Sequence, residues 1–160
     1  MTAVWLAGPD DVATVAGLLA GFRDQMGHSS PSDDSLAKST ELLVGSENAE
    51  FWLGAADDMS AAAGVCQLRF RHSVWTGTED CWLEDLFVRE DARGHGLGRA
   101  LVERSLERAR ERGCKRIELD TNEDNHAAIS LYESFGFSPA SKGSRSLFYG
   151  LRLDPMAETA

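Results

Sequence analysis

Apolar positions along the 160-residue chain recur with two periods, and the changes from one period to the other mark the elements. Ala3 to Ala7 is short, apolar and halted by Gly8-Pro9, the pattern of a first strand. Val12, Val15, Leu18, Leu19 and Phe22 then share one side of a helix, capped by Asp10 or Asp11 and ending near Gly27. After the turn-rich HSSPSDD, Leu36, Leu42, Leu43 and Val44 predict a second, short helix. Phe51 to Ala56, Gly64 to His72 and Cys81 to Arg89 have strand length and are joined by turn formers, which predicts an antiparallel meander. The helical period returns from Gly98 to about Arg112, with Leu101, Val102, Leu106 and Ala109 inward and Gly113 as the stop. Cys114 to Asp120 alternates as a strand, parallel to its predecessor if the helix between is a right-handed crossover. Asn125 caps a helix carrying Ala128, Leu131, Tyr132 and Phe135, and Phe137 onward and Ser146 to Leu153 predict closing strands. The order β-α-α-β-β-β-α-β-α-β-β is that of an α/β sandwich whose mixed antiparallel and parallel sheet is flanked by helices. It reads as a single domain over residues 1–154 with a short tail at 155–160.

One stretch stands apart, Trp82 to Gly98, WLEDLFVREDARGHGLG. An apolar strand gives way to a charged turn, three closely spaced glycines and a run of strong helix formers. Glycines let a backbone approach a ligand closely, and the first turn of a helix offers unpaired N–H groups at the positive end of its dipole. Strand, glycine loop and helix N-terminus together make a site for an anion, a phosphate or pyrophosphate above all. The spacing does not fit G-x-x-x-x-G-K-[ST], and the residue three after Gly96 is Arg99, so G-x-G-x-x-G fails as well.

Charge and cysteine content narrow the partners. Acidic residues outnumber basic ones 26 to 16, a formal net charge of −10, which repels phosphate backbones and anionic lipid and argues against a nucleic-acid or membrane-surface role. No apolar run approaches a membrane span and the N-terminus lacks a signal-peptide pattern, so the expected location is cytoplasmic. Cys66, Cys81 and Cys114 show no C-x-x-C and read as reduced thiols packed in strands, and the four histidines have no metal-ligand spacing. No metal is expected. Trp75 and Trp82 could border an amine by cation–π contact, although packing is the commoner use of such side chains.

Two blocks then carry a resemblance. Arg93, Gly96 and Gly98 fill [QR]-x-x-G-x-[GA] after Leu-Phe-Val, and Asn125, Ala128, Tyr132 and Phe135-Gly136-Phe137 follow in order, separated by a helix and a strand. The chain resembles the GNAT N-acetyltransferase superfamily over roughly residues 82–138. LEDLFV, R-G-x-G-x-G and SLY before FGF are similar to the spermidine/spermine and thialysine branch. The resemblance implies a GNAT-like fold, acetyl-CoA as cosubstrate, a small-molecule amine as acceptor and a homodimer. It also implies that the first helical region borders the acceptor.

Acetyl transfer from a thioester to an amine needs a neutral amine, a donor to the carbonyl oxygen and a proton for the departing thiolate. The resemblance places the pyrophosphate on the N–H groups of Gly94, His95, Gly96, Leu97, Gly98 and Arg99, with Arg93 lending charge. It gives the pantetheine arm to the backbone of Leu86, Phe87 and Val88, where an N–H would serve the oxyanion. An alkylammonium titrates near ~10, so a carboxylate must take its proton. Glu84 is the candidate, and Asp85 points to the opposite face of a regular strand. A bulge would upset that assignment and let the two acids share base and cation-binding duties. Tyr132 is the candidate acid for the thiolate, and Asn125 combines a helix cap with a possible cofactor contact. The acceptor order is a polyamine or lysine-like amine, then an aminoglycoside, then a protein amine. A GNAT-fold module that binds acetyl-CoA without turnover is the alternative from another class.

Overall fold

The computed structural model describes residues 1–154 and divides into two compact units, the first running from Met1 to Glu118 and the second starting at Leu119. The tail expected at 155–160 lies outside the described residues.

In the first unit the chain forms β1 (Ala3–Leu6), α1 (Val12–Gln25), α2 (Asp33–Leu43), β2 (Ala49–Ala55), β3 (Gly64–His72), β4 (Glu79–Val88), α3 (Leu97–Glu111) and β5 (Ile117–Glu118). The strands make one sheet in the order β1-β2-β3-β4-β5, antiparallel throughout except for the parallel pairing of β4 with β5. The parallel strand is shorter than expected from Cys114–Asp120. Only Ile117 and Glu118 pair, with Cys81 and Trp82, and Cys114 falls in the turn after α3 rather than in a strand. Helix ends follow local chemistry. Ser32 Oγ accepts the Ser35 N–H at 3.1 Å and starts α2. Of the two aspartates expected to cap α1, Asp11 is the N-cap residue, but its carboxylate accepts the Gly8 N–H at 2.9 Å around a 3-10 turn at Pro9–Asp11 rather than an N–H of α1.

Each face of the sheet buries a different set of side chains. On one, Phe51, Leu53, Val65 and Phe87 pack with Ala7, Val15 and Leu18, and with the half-buried Leu19, Phe22, Leu43 and Val44 of α1, α2 and the α2 end. Full burial of each such aliphatic or aromatic side chain is worth roughly 1.5–3 kcal/mol, so α1 is held by its apolar side. On the other face, Leu97, Leu101, Val102, Ser105 and Ala109 of α3 are buried. Close approach is possible because Gly54 and Gly64 sit opposite one another on β2 and β3. A Cβ at Gly54 would lie 2.6 Å from Leu97 Cδ1, and one at Gly64 would lie 3.1 Å from Leu101 Cδ1. These two glycines seat the beginning of α3, and with it the glycine loop, against the sheet.

The far half of α3 is fixed by charge. Glu50 is buried on β2 and accepts from Trp52 Nε1 at 3.0 Å and from Arg108 Nη2 at 2.7 Å. That contact holds the Arg108 guanidinium above its ordinary range. Arg104 and Arg112 lie over the Trp52 and Phe70 rings at 4.4 and 3.8 Å from the centroids. Cys66 and Cys81 are buried free thiols on β3 and β4, and burial pushes each up to about 12.

The second unit holds α4 (His126–Ser134) and a two-stranded hairpin, β6 (Ala140–Ser141) with β7 (Ser144–Arg145). The closing strands expected from Phe137 and over Ser146–Leu153 are therefore corrected to this short hairpin. Residues 146–154 form no strand, and Leu147, Phe148, Tyr149, Leu151 and Leu153 are exposed. Alternation in that segment has no pairing partner among the described residues, and a strand exists only as part of a ladder. Trp75 is likewise corrected. It is 90% exposed in the turn between β3 and β4 rather than packed.

Candidate functional site

The strand that leads into the glycine loop is not regular. Val65 pairs with Phe87 and Gln67 with Glu84, so two residues of β3 separate the pairs where three of β4 do, and Asp85-Leu86 oppose Cys66 alone. This is a β-bulge, and Asp85 carries it with φ of 55°, left-handed space that an aspartate tolerates better than most residues. Directly opposed side chains share a face, and Val65 and Gln67 are two apart on one strand. Glu84 and Phe87 therefore stand on the same side of the sheet, the side covered by α1 and α2. A regular strand would have put Glu84 with Leu86 and Val88 and turned Phe87 away. Glu84 is half-buried and Asp85 exposed. The two acids are thus separated by environment, the first in a cross-strand row with Gln67 and Phe51, the second on the outside of the bulge.

Phe87 ties this row to α1. Its ring stacks on Phe22 with centroids 5.4 Å apart, and Gly21 leaves it room, since a Cβ there would lie 3.4 Å from the ring. The parallel ladder to β5 ends at Trp82–Glu118, so the backbone of Leu86 to Val88 lies beyond it on that edge. Such an edge can hydrogen-bond an extended ligand arm.

The loop follows at once. A 3-10 turn at Glu90–Ala92 leads to Gly94 and Gly96, whose φ values are 79° and 85°. Gly96 is the left-handed N-cap of α3, and Ala100 is the first residue to donate back along the helix, to Gly96 O at 3.0 Å. Helix geometry leaves the N–H groups of Leu97 and Gly98 without an intrahelical acceptor. A Cβ at Gly94 or Gly96 would meet nothing within 4 Å, so the backbone is presented openly. This is a cradle that fits a pyrophosphate.

Arg93, expected to lend charge to that cradle, makes contacts to neutral groups within the protein. Its Nε donates to Val88 O at 2.9 Å, its Nη2 donates to Gln25 Oε1 at the end of α1, and its guanidinium lies 6.0 Å from the Phe87 ring centroid. These contacts bind the end of β4 to α1 and fix where the loop begins. His95 and Arg99 are exposed beside the glycines.

In the second unit, Asn125 caps α4, its Oδ1 accepting the Ala128 N–H at 3.3 Å. Tyr132 is the buried residue of that helix, 8% exposed, with its ring edge-on to Phe137 at 5.9 Å between centroids. The Phe137 N–H bonds back to Tyr132 O at 3.2 Å, with Gly136 at φ of 95°, so the FGF sequence folds as a helix C-terminal corner under Tyr132.

Glu84, Asp85, Leu86, Phe87, Val88 and residues 93–99 are thus gathered in the first unit, while Asn125 and Tyr132 belong to the second. Sequence reasoning missed two residues. Gln25 fastens Arg93 from a distance of 68 positions along the chain, and nothing local could have marked it. Gln67 lies beside Glu84, and its signal was available as the lone amide in the apolar run GVCQLRF. Among the described residues no group of three or more His, Cys, Asp or Glu is placed to hold a metal ion, and no helix is long and apolar enough to cross a membrane.

Comparison with known proteins bears on the family and the fold. The model of the acetyltransferase (GNAT) family matches residues 18–137. The aminoglycoside N(6')-acetyltransferase type 1 of Stenotrophomonas maltophilia is 29% identical over 148 residues, covering 91% of this chain and 94% of that enzyme. The thialysine N-epsilon-acetyltransferase of Sus scrofa is 34% identical over 77 residues, 48% of this chain and 45% of that enzyme. Among solved structures, a protein from Arthrobacter sp. FB24 assigned as an acetyltransferase superposes with a TM-score of 0.82 at 31% identity, covering 94% of each chain.

Proposed function

The chain belongs to the acetyltransferase (GNAT) family, and from that premise we propose that it transfers acetyl from acetyl-CoA to a primary amine of a small cationic molecule, in the cytoplasm. The observation that carries the reading is the bulged β4, which sets the half-buried Glu84 on the α1/α2 face and runs directly into an open glycine cradle at the start of α3. Similarity across 18–137 supports treating residues 1–154 as one acetyltransferase domain.

The thioester supplies the activated acetyl carbon, where a C–N bond to the amine forms as the C–S bond breaks. Leu97 and Gly98 N–H groups, with the loop backbone from Gly94, hold the pyrophosphate against the helix dipole. Arg93 fixes the loop to Val88 and Gln25 and, because both of those acceptors are neutral, still lends its positive charge to the pyrophosphate. The β4 backbone at Leu86 to Val88 binds the pantetheine arm and directs an N–H at the carbonyl oxygen as that atom gains charge. Glu84 takes the proton of the ammonium, because only the neutral amine is nucleophilic. Asp85 attracts the cationic substrate from the outside of the bulge. Tyr132 gives its phenolic proton to the thiolate, and Asn125 sets the start of its helix.

The polyamine or lysine-like class is favoured by the LEDLFV segment and by the thialysine enzyme, and the aminoglycoside class by the relative that matches 91% of the chain. Both are small polycations, and the net charge of −10 suits either. The test is coenzyme A thiol release with spermidine, spermine, thialysine, an aminoglycoside and a basic peptide. Turnover of at least one small amine is expected, with Tyr132→Phe lowering kcat about 10- to 100-fold while acetyl-CoA still binds. Tight acetyl-CoA binding without turnover of any amine would replace the enzyme reading by that of a binding module.

We further propose a homodimer, supported by the exposure of Leu147, Phe148, Tyr149, Leu151 and Leu153 in one segment. Sedimentation at micromolar concentration should give twice the chain mass, and a monomer mass there excludes the proposal.

A further inference from the structure

Gln67 is 5% exposed in the middle of β3, and its Nε2 is the one buried side-chain nitrogen or oxygen without a hydrogen-bond partner among the described residues. An orphaned amide inside a sheet is costly, and an apolar residue of the same volume would avoid the cost. Its neighbours on β3 show what a purely structural position carries: Val65 and Leu68, both fully buried. The register gives the amide a neighbour. Gln67 is directly opposite Glu84 on one side and Phe51 on the other, all on the face covered by α1 and α2. Opposed Cβ atoms stand about 5 Å apart, so a carboxamide and a carboxylate there reach the same water molecule.

Resting on the reading of Glu84 as proton acceptor, we infer that Gln67 is a positioning residue for that transfer. Its Nε2 donates to a water that bridges the substrate ammonium and the Glu84 carboxylate. The ammonium gives one proton to this water, the water gives one to Glu84, and the amine is left neutral with its lone pair free. Phe51 closes the row on the far side of Gln67. The amide donor also favours the ionised form of Glu84 through the water, because hydrogen bonds to a charged group stabilise the charge.

The test is the pH profile of kcat/KM for the amine in Gln67→Met and Gln67→Glu, each also made with Glu84→Gln, with thermal unfolding as the control for folding. Gln67→Met removes the donor at nearly constant volume. It should lower kcat/KM about 10- to 100-fold, leave the KM for acetyl-CoA unchanged and move the acid limb of the profile up by about one pH unit. Gln67→Glu puts a carboxyl beside Glu84 and should move that limb farther still. Within Glu84→Gln, neither change should lower the rate again, since both act through the lost carboxylate. An unmoved acid limb in Gln67→Glu, or losses that multiply in the double variants, overturns the inference even if Gln67→Met fails to fold. If Glu84→Gln alone keeps full activity, the proton-acceptor reading itself falls. If Glu84→Gln collapses while the Gln67 variants keep the limb, only the positioning role falls.

Discussion

Glu84→Gln is expected to lower kcat for the amine by about 10²- to 10⁴-fold with little change in acetyl-CoA affinity, the range that removal of a positioned general base produces. The substitution is isosteric and keeps hydrogen-bonding capacity in the row with Gln67 and Phe51, so the fold should be unaffected. What it removes is the acceptor for the ammonium proton. The residual rate then depends on amine that has already lost its proton to water, a fraction that grows about tenfold per pH unit below ~10. The variant should therefore recover steeply between pH 7 and 9, whereas a variant that merely disturbed the strand would stay slow at every pH. Initial rates across that range with one turned-over amine decide the matter. A flat profile in Glu84→Gln would mean that the proton leaves by another route.

The same residue shows where the sequence stops being readable. The apolar positions of LEDLFV fit a regular strand, and nothing in their alternation reveals that Asp85 takes a positive φ. The bulge is decided by pairing with β3, where Cys66 faces two residues instead of one, and pairing is a property of two strands. The order of the main elements was legible because α1, α3 and the three long strands bury continuous apolar sides, and because Gly27, Gly96 and Gly113 end or begin helices with left-handed backbone. The closing strand was misread for the converse reason: Ser146 to Leu153 alternates, but a pattern specifies a strand only where a neighbour accepts the ladder. Arg93 was legible as a residue and not as a contact. An arginine before a glycine loop suggests phosphate, yet Val88 O and Gln25 Oε1 hold it, and the second of these is set by how α1 packs over Phe87.

Gly96→Val should raise the Kd for acetyl-CoA by about 100-fold or more. Two separable effects contribute. At φ of 85° a β-branched residue is strained by about 1–2 kcal/mol, which either destabilises the start of α3 or forces the N-cap out of its conformation. The second effect is occlusion. A Cβ at this position meets nothing within 4 Å in the protein, so the valine fills the open side from which the loop backbone would reach a pyrophosphate. Gly113 supplies the control. It lies at the other end of α3 with φ of 77° and the same open space, so Gly113→Val carries the backbone cost without touching the cradle. Calorimetric titration with acetyl-CoA, beside thermal unfolding of both variants, separates the effects. Similar losses of thermal stability with affinity lost only in Gly96→Val would assign the cradle to the cosubstrate. Equal affinities in the two variants would show that the anion site lies elsewhere, and with it the premise that the glycines at the head of α3 exist to admit a phosphate.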